Sequence, residues 1–136
     1  MALFFGPHHA IIKSIVMKPS YTSEILTYQQ TEVIQELVNC ALACEACASM
    51  CLKAPDVQHM VRCAELARDC ADTCLQASRL IMRRSEVADQ YLATCEEICR
   101  LCAEECRRHK ADHCEICATA CDSCAESCRN YYKANN

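Results

Sequence analysis

Cysteines recur along this chain at alternating steps of four and three residues, and this spacing constrains the fold more than any other feature. Such steps place side chains on one face of an α-helix, at the a and d positions of a heptad. Ala67 fills the one missing position of the second run. The 16 cysteines form four runs: Cys40, Cys44, Cys47 and Cys51; Cys63, Cys70 and Cys74; Cys95, Cys99, Cys102 and Cys106; and Cys114, Cys117, Cys121, Cys124 and Cys128.

Composition supports an all-α fold. One Gly, three Pro and seven aromatic residues among 136 are too few for the turns and strands of a sandwich or barrel. Short connections between amphipathic helices favour antiparallel neighbours, so we predict an up-down-up-down four-helix bundle with a cysteine-lined core. The predicted bundle spans 23–134, with helices at about 23–52, 55–83, 86–110 and 112–133. Residues 1–22 form an N-terminal arm or short helix of unknown role.

Local signals place the helix ends. Pro55 suits the first turn of the second helix, Ser85 is a candidate N-cap of the third, and Asp112 with Glu115 reads as a capping box for the fourth. We expect the charged residues between the cysteines to face water. They are Glu45, Arg68, Asp69, Glu96, Glu97, Arg100, Glu104, Glu105, Arg107, Asp122, Glu126 and Arg129.

The two ends of the bundle differ in their predicted chemistry. At one end the cysteine stripes continue into apolar residues, which predicts a closed end: Leu26, Val33, Leu37, Ile81, Leu92, Tyr131 and Tyr132. At the opposite end the stripes continue into His59, Met60, His109 and His113, and Met50 and Met60 are weaker candidates than the histidines. The sequence therefore predicts an apolar closed end, a thiol-lined middle and an open end with histidines.

Packing and disulfides both explain the cysteines poorly. A buried Cys packs as a small hydrophobe, but Leu or Ala would do so without the risk of oxidation. Neighbours at i,i+4 have Cβ atoms about 5–6 Å apart, whereas a disulfide needs about 3.8 Å. Disulfides between helices stay open as an alternative. An iron–sulfur cluster would need its own ligand spacing, such as C-x2-C-x2-C. No such triple occurs in this sequence.

Metal binding is the third interpretation, and it favours Cu(I). Soft thiolates select Cu(I), which accepts two or three ligands, while zinc takes four in isolated tetrahedral sites. One Cu⁺ per thiolate leaves a buried core near neutral, whereas a zinc ion with four thiolates leaves a charge of minus two. A zinc or general heavy-metal sequestration protein, similar to a metallothionein, remains the alternative. An enzyme is not expected, because no acid–base group accompanies a unique cysteine.

Charge and targeting signals narrow the partners and the compartment. With 14 basic and 18 acidic side chains, the chain lacks the basic stripe that nucleic acids require. No apolar run approaches the roughly 18 residues of a membrane span. The apolar residues near Met1 are interrupted by Gly6 and Pro7 and lack a basic leader. We therefore expect a cytoplasmic protein without nucleic-acid or membrane partners.

Three cysteine runs resemble those of the bacterial copper storage proteins: CALACEACASMC (40–51), CEEICRLCAEEC (95–106) and HCEICATACDSCAESC (113–128). The similarity covers about 24–133 and favours the cytosolic branch of that family. It implies a four-helix bundle that holds many Cu(I) ions, and a homo-oligomer, commonly a tetramer. It also implies loading through one open end, here at His59, His109 and His113 with Met60. A copper chaperone or a low-molecular-weight thiol is the expected donor.

Overall fold

The computed structural model describes residues 25–135. Four helices form over these residues: α1 Tyr28–Leu52, α2 Val57–Met82, α3 Ala88–Cys106 and α4 Asp112–Ala134. Helix α1 packs on α2 and α4, and α3 packs on the same two helices. The predicted four-helix bundle is therefore confirmed. The predicted N-terminal arm, 1–22, lies outside the described residues.

Close sulfur pairs between helices show that neighbours run antiparallel. Between α2 and α3, Cys74 lies 3.7 Å from Cys95 and Cys63 lies 3.6 Å from Cys106, so the residue numbers rise in opposite directions. The same reversal relates α1 and α4, whose close sulfur pairs include Cys44 with Cys117 and Cys40 with Cys121.

The helix N-termini differ from those predicted. Helix α1 begins after a capping box, in which the Gln30 amide donates to Thr27 Oγ1 at 3.1 Å and the Thr27 amide donates to Gln30 Oε1 at 2.9 Å. The capping box predicted for α4 is wrong, because Asp112 is already helical and the N-cap, Ala111, makes no side-chain cap bond. Asp112 and Glu115 instead place negative charge in the first turn, where the helix dipole favours it.

Ser85 lies just after the C-terminus of α2 and does not serve as the predicted N-cap of α3. Its amide donates to the Leu80 carbonyl at 3.0 Å, and Arg84 before it has a positive φ of 55°. This is the bond pattern of a Schellman motif. The N-cap of α3 is Val87, whose amide donates to Ser85 Oγ at 3.4 Å.

The apolar closed end is confirmed. Val33, Leu37, Ile81 and Leu92 are each at most 2% exposed. Their burial stabilises the bundle by about 1.5–3 kcal/mol per side chain. This end therefore contributes a conventional hydrophobic core that needs no metal.

Helix α1 is long and apolar enough to cross a membrane, by length and composition alone. This differs from the expectation that no apolar run approaches a span, since cysteine and alanine count as apolar residues. In the bundle, the cysteine face of α1 is buried against its neighbours. A core helix of this kind passes the same test, so this one helix is weak support for a membrane span.

Candidate metal centre

The core of the bundle is a column of thiols. All 16 cysteines have 0% exposure, so the predicted inward-facing stripes are confirmed. The closest sulfur atoms are 3.5 Å apart, far beyond the roughly 2.05 Å of a disulfide bond. Every cysteine is a free thiol.

The shortest sulfur–sulfur distances run between helices. Cys44 lies 3.5 Å from Cys121, and Cys70 lies 3.5 Å from Cys99. Along a single helix the distances are longer, such as 3.9 Å between Cys40 and Cys44. These distances favour metal sites that join two or more helices.

Sets of three or four cysteines have all their sulfur atoms within 4.8 Å of one another, and the sets share members. Cys40, Cys44, Cys47, Cys117 and Cys121 each belong to at least two sets. Together the sets form a continuous column without separate pockets. They include Cys40/Cys74/Cys99/Cys124, Cys40/Cys44/Cys70/Cys121, Cys44/Cys102/Cys117/Cys121, Cys47/Cys51/Cys63/Cys114 and Cys47/Cys106/Cys117.

These distances fit metal ions with few ligands. With metal–sulfur bonds of about 2.3 Å, a trigonal site separates its sulfurs by about 4.0 Å and a linear site by about 4.6 Å. The sulfur pairs at 3.5–4.0 Å need only small side-chain rotations to reach either geometry. The column can therefore take Cu(I) without a rearrangement of the helices.

Burial keeps two thiols near the open end, Cys51 and Cys114, protonated. It raises the pKa of Cys51 to about 11. Burial is also the largest cause of the raised pKa of Cys114, followed by the charges of Cys63 and Cys51. An unperturbed thiol has a pKa of about 8.5, so both thiols hold their protons at neutral pH. Each must lose its proton to bind metal, and uptake should weaken as the pH falls.

His113 lies at the open end of the column, in contact with its thiols. Its Nδ1 is 3.5 Å from Cys114 Sγ, 3.7 Å from Cys47 Sγ and 4.0 Å from Cys51 Sγ. The side chain is half-buried. It connects the first turn of α4 with the end of α1, where a metal ion could pass from imidazole to thiol.

The other predicted open-end residues occupy different surroundings. Met60 is buried in the core at 3% exposure, and Met50 is 50% exposed. His109 is half-buried, whereas His59 is exposed. His109 Nε2 is buried without a hydrogen-bond partner. Within the described residues, His113 is therefore the histidine with direct thiol contacts.

Two carboxylates predicted to face water are buried instead. Glu96 and Glu105 are each 6% exposed. Glu96 Oε1 accepts a hydrogen bond from the Tyr132 hydroxyl at 2.6 Å, and Oε2 accepts one from Arg100 Nε at 2.9 Å. Arg129 Nη1 lies 3.7 Å from Glu96 Oε2. Tyr132, predicted as apolar filling, thus also anchors a polar cluster between α3 and α4 near the closed end.

The Glu96 cluster should make the metal-free bundle sensitive to acid. Burial alone would raise the pKa of Glu96, but hydrogen bonds from Tyr132 and Arg100 and the nearby positive charges lower it below its usual value. A lowered pKa stabilises the fold above the unfolded-state pKa, and this contribution disappears as the pH falls through the folded-state pKa. We expect the metal-free protein to lose stability below about pH 4.5.

Glu96→Gln should lower the free energy of unfolding at neutral pH by about 2 kcal/mol and reduce the loss on acidification. Thermal melts of reduced, metal-free protein across the acidic range measure both effects. Glu97→Gln, at an exposed neighbouring position, is the matched control. Equal acid sensitivity of Glu96→Gln and the wild type would contradict the assignment.

The family model described as "Copper storage protein" matches residues 26–133. The chain belongs to the copper storage protein family. A comparison with curated proteins gives no significant match.

Solved structures of copper storage proteins have the same fold. The Cu(I)-bound copper storage protein BsCsp3 is 36% identical, with 75% of this chain and 96% of that chain covered and a TM-score of 0.72. The apo form of copper storage protein 3 from Bacillus subtilis is 37% identical, with coverages of 73% and 94% and a TM-score of 0.69. Ccsp of Streptomyces lividans, loaded with ten copper equivalents, is 32% identical, with coverages of 85% and 92% and a TM-score of 0.76. Another structure of the Streptomyces lividans protein is described as cytosolic.

Proposed function

We propose that this member of the copper storage family is a cytosolic store that holds about one Cu(I) per cysteine, on the order of 16 per chain. The observation that carries the proposal is the overlap between sets of sulfur atoms within 4.8 Å of one another. Because the sets overlap, one thiolate can bridge two neighbouring ions. The ions along the column would therefore share ligands and would not occupy separate sites. In this role the protein holds its cargo without converting it, and we propose no enzymatic activity.

Charge favours Cu(I) over other cargo in this core. Each Cu⁺ that replaces a thiol proton leaves the charge of the column unchanged, because one positive charge replaces another. Buried uncompensated charge is costly, so this exchange can continue until the thiols are used. Relatives support the proposal: one was solved with Cu(I) bound and another with ten copper equivalents.

Titration of the anaerobic, reduced apo-protein with Cu(I) in competition with a colorimetric indicator tests the store directly. Uptake should end near one ion per cysteine, about 16 per chain. Proton release, followed with a pH indicator in weak buffer, should rise in parallel, because protonated thiols become thiolates. Saturation at about four ions or fewer would contradict a filled column.

Zinc or general heavy-metal sequestration is the second candidate. The four-cysteine sets favour it, because four sulfurs within 4.8 Å could also surround a tetrahedral ion at about 2.3 Å. Overlap limits how many such sets can be filled at once, and each filled set would carry a charge of minus two. Zinc uptake that reaches a few ions and survives a Cu(I) challenge would favour this alternative.

Copper should enter at the open end and move to deeper thiols by ligand exchange. His113 is the first candidate ligand, because its imidazole contacts three thiols. His109 and Met60 are further candidates at this end. Imidazole binds Cu(I) less tightly than thiolate, which suits transient binding. A chaperone or a low-molecular-weight thiol would supply the ion there.

We further propose a homo-oligomer, with a tetramer as the form that the family resemblance implies. Leu42 on α1 and Ile116 on α4 are each 64% exposed, and these two helices are neighbours. A contiguous patch of exposed apolar side chains marks a surface that another chain can cover.

Leu42→Glu and Ile116→Glu should therefore shift the particle mass toward that of the single 15.3 kDa chain, measured by light scattering after size exclusion. Val61→Glu changes a partly exposed apolar residue on α2 and is the control. A wild-type protein that already has the mass of one chain would contradict the oligomer.

A further inference from the structure

The connections of the bundle leave two unlinked seams at its open end. The 53–56 connection closes the α1–α2 hairpin there, and the 107–111 connection closes the α3–α4 hairpin. The 83–87 connection, between α2 and α3, lies at the closed end. At the open end, the α2–α3 and α1–α4 seams therefore have no chain connection, and the two hairpins meet only through side chains.

Different side chains cross the two seams. His113 crosses the α1–α4 seam, with Nδ1 3.7 Å from Cys47 Sγ and 4.0 Å from Cys51 Sγ. Glu105 crosses the α2–α3 seam, with Oε2 3.8 Å from Arg62 Nη1. This ion pair stands one residue from the thiol pair Cys63–Cys106, whose sulfurs are 3.6 Å apart.

Glu105 is buried without being satisfied. Its side chain is 7% exposed, and Oε2 is buried without a hydrogen-bond partner. The guanidinium nitrogens of Arg62 and Arg108, at 3.8 Å and 3.5 Å, are beyond the length of a good N–H···O bond. Glu96 near the closed end is equally buried but accepts hydrogen bonds from two side chains.

A buried carboxylate oxygen without a donor disfavours the state that buries it. The closed α2–α3 seam carries this cost, and separation of the two helices at the open end returns Glu105 to water. Arg62 counteracts the opening by its attraction across the seam. The two charges thus set how readily the seam opens.

We propose that Glu105 is a positioning residue that keeps the α2–α3 seam at the open end ready to separate, and so sets the rate at which copper passes in and out. The proposal rests on the copper storage function. The proposed role of Glu105 concerns the rate at which copper enters and leaves, and it leaves the number of bound copper ions unchanged. It places the opening on the seam opposite His113.

Glu105→Met replaces the unsatisfied carboxylate by an apolar side chain of similar length. Opening the seam then no longer returns a buried carboxylate to water, so α2 and α3 should stay together at the open end. Release of Cu(I) from the loaded protein to an excess of a strong chelator should slow about fivefold or more. Final capacity and helical content, measured by titration and circular dichroism, should remain those of the wild type.

Arg62→Met should have the opposite effect. It removes the attraction across the seam and leaves the buried Glu105 carboxylate with one cation fewer, and loss of a partner is costly for a buried charge. Chelator removal should then accelerate several-fold. The double variant Arg62→Met/Glu105→Met should be slow, like Glu105→Met, because without the buried carboxylate the partly exposed side chain of residue 62 has no charge to attract across the seam.

Glu104→Met is the matched control. Glu104 also pairs with Arg108, at 3.7 Å, but its side chain is 68% exposed. Its replacement should leave the rate of copper release unchanged. If Glu105 had only a structural role, its replacement would lower the stability of the protein. The substitutions of Glu105 and Arg62 would then not change the rate of copper release in opposite directions.

Hydrogen exchange of the metal-free protein tests the seam without copper. Amides at the start of α2 and the end of α3 should exchange more slowly in Glu105→Met and faster in Arg62→Met, with the closed end unchanged. Rate and exchange changes of the same sign in both variants, or none, would overturn the proposal. A wild-type capacity of about four copper ions or fewer would instead contradict the storage function. The hydrogen-exchange result would still show whether Glu105 and Arg62 control the opening of the α2–α3 seam.

Discussion

The double substitution Cys44→Ser/Cys121→Ser should lower copper capacity by about four ions or more, beyond the two expected for two independent thiols. The sulfurs of these residues are 3.5 Å apart. Both residues belong to two of the four-cysteine sets, so both sets would keep only half of their ligands. A serine hydroxyl is similar in size but is a poor ligand for a soft ion such as Cu(I).

The pair Cys51→Ser/Cys128→Ser is the matched control, because these cysteines lie toward opposite ends of the column. It should remove only about two ions. Anaerobic titration against a Cu(I) indicator measures both losses, and circular dichroism verifies the fold. Equal losses in the two variants would mean that each thiol holds its ion independently, contrary to a shared column.

Replacing His59, His109 and His113 together should slow copper loading roughly tenfold, the equivalent of about 1.4 kcal/mol in the barrier, with capacity nearly unchanged. We expect His113→Ala alone to account for most of the effect, because its ring contacts the thiols of three cysteines. Stopped-flow mixing of apo-protein with a Cu(I)–thiol complex measures the rate.

His59→Ala is the control within this set, since its side chain is exposed. It should load at the wild-type rate. Normal loading by the triple variant would assign all three histidines to the solvated surface. A capacity lower by several ions would make them storage ligands.

The bundle and its thiol column could be predicted from the sequence because they follow from periodicity. Steps of four and three fix a helix face, and short connections fix antiparallel neighbours. Periodicity says nothing, however, about which thiols of different helices meet. The close pair Cys44–Cys121 depends on the relative height of α1 and α4, which no local pattern encodes.

The burial of Glu96 and Glu105 could not be predicted for a related reason. Both lie beside the cysteine stripe, where a side chain can face water or a neighbouring helix. Their choice depends on partners distant in sequence, Tyr132 for Glu96 and Arg62 for Glu105. Extension of the stripe also failed at a helix end, where Met60 takes the buried position and His59 is exposed.

The short sulfur distances between helices have a consequence for the lifetime of the protein in the cell. An ion held by thiolates of two helices acts as a crosslink, and a ligand that binds only the folded state adds to its stability. Proteases that act on transiently opened chains would then remove empty copies before filled ones. Turnover itself would match the amount of protein to the copper that needs holding.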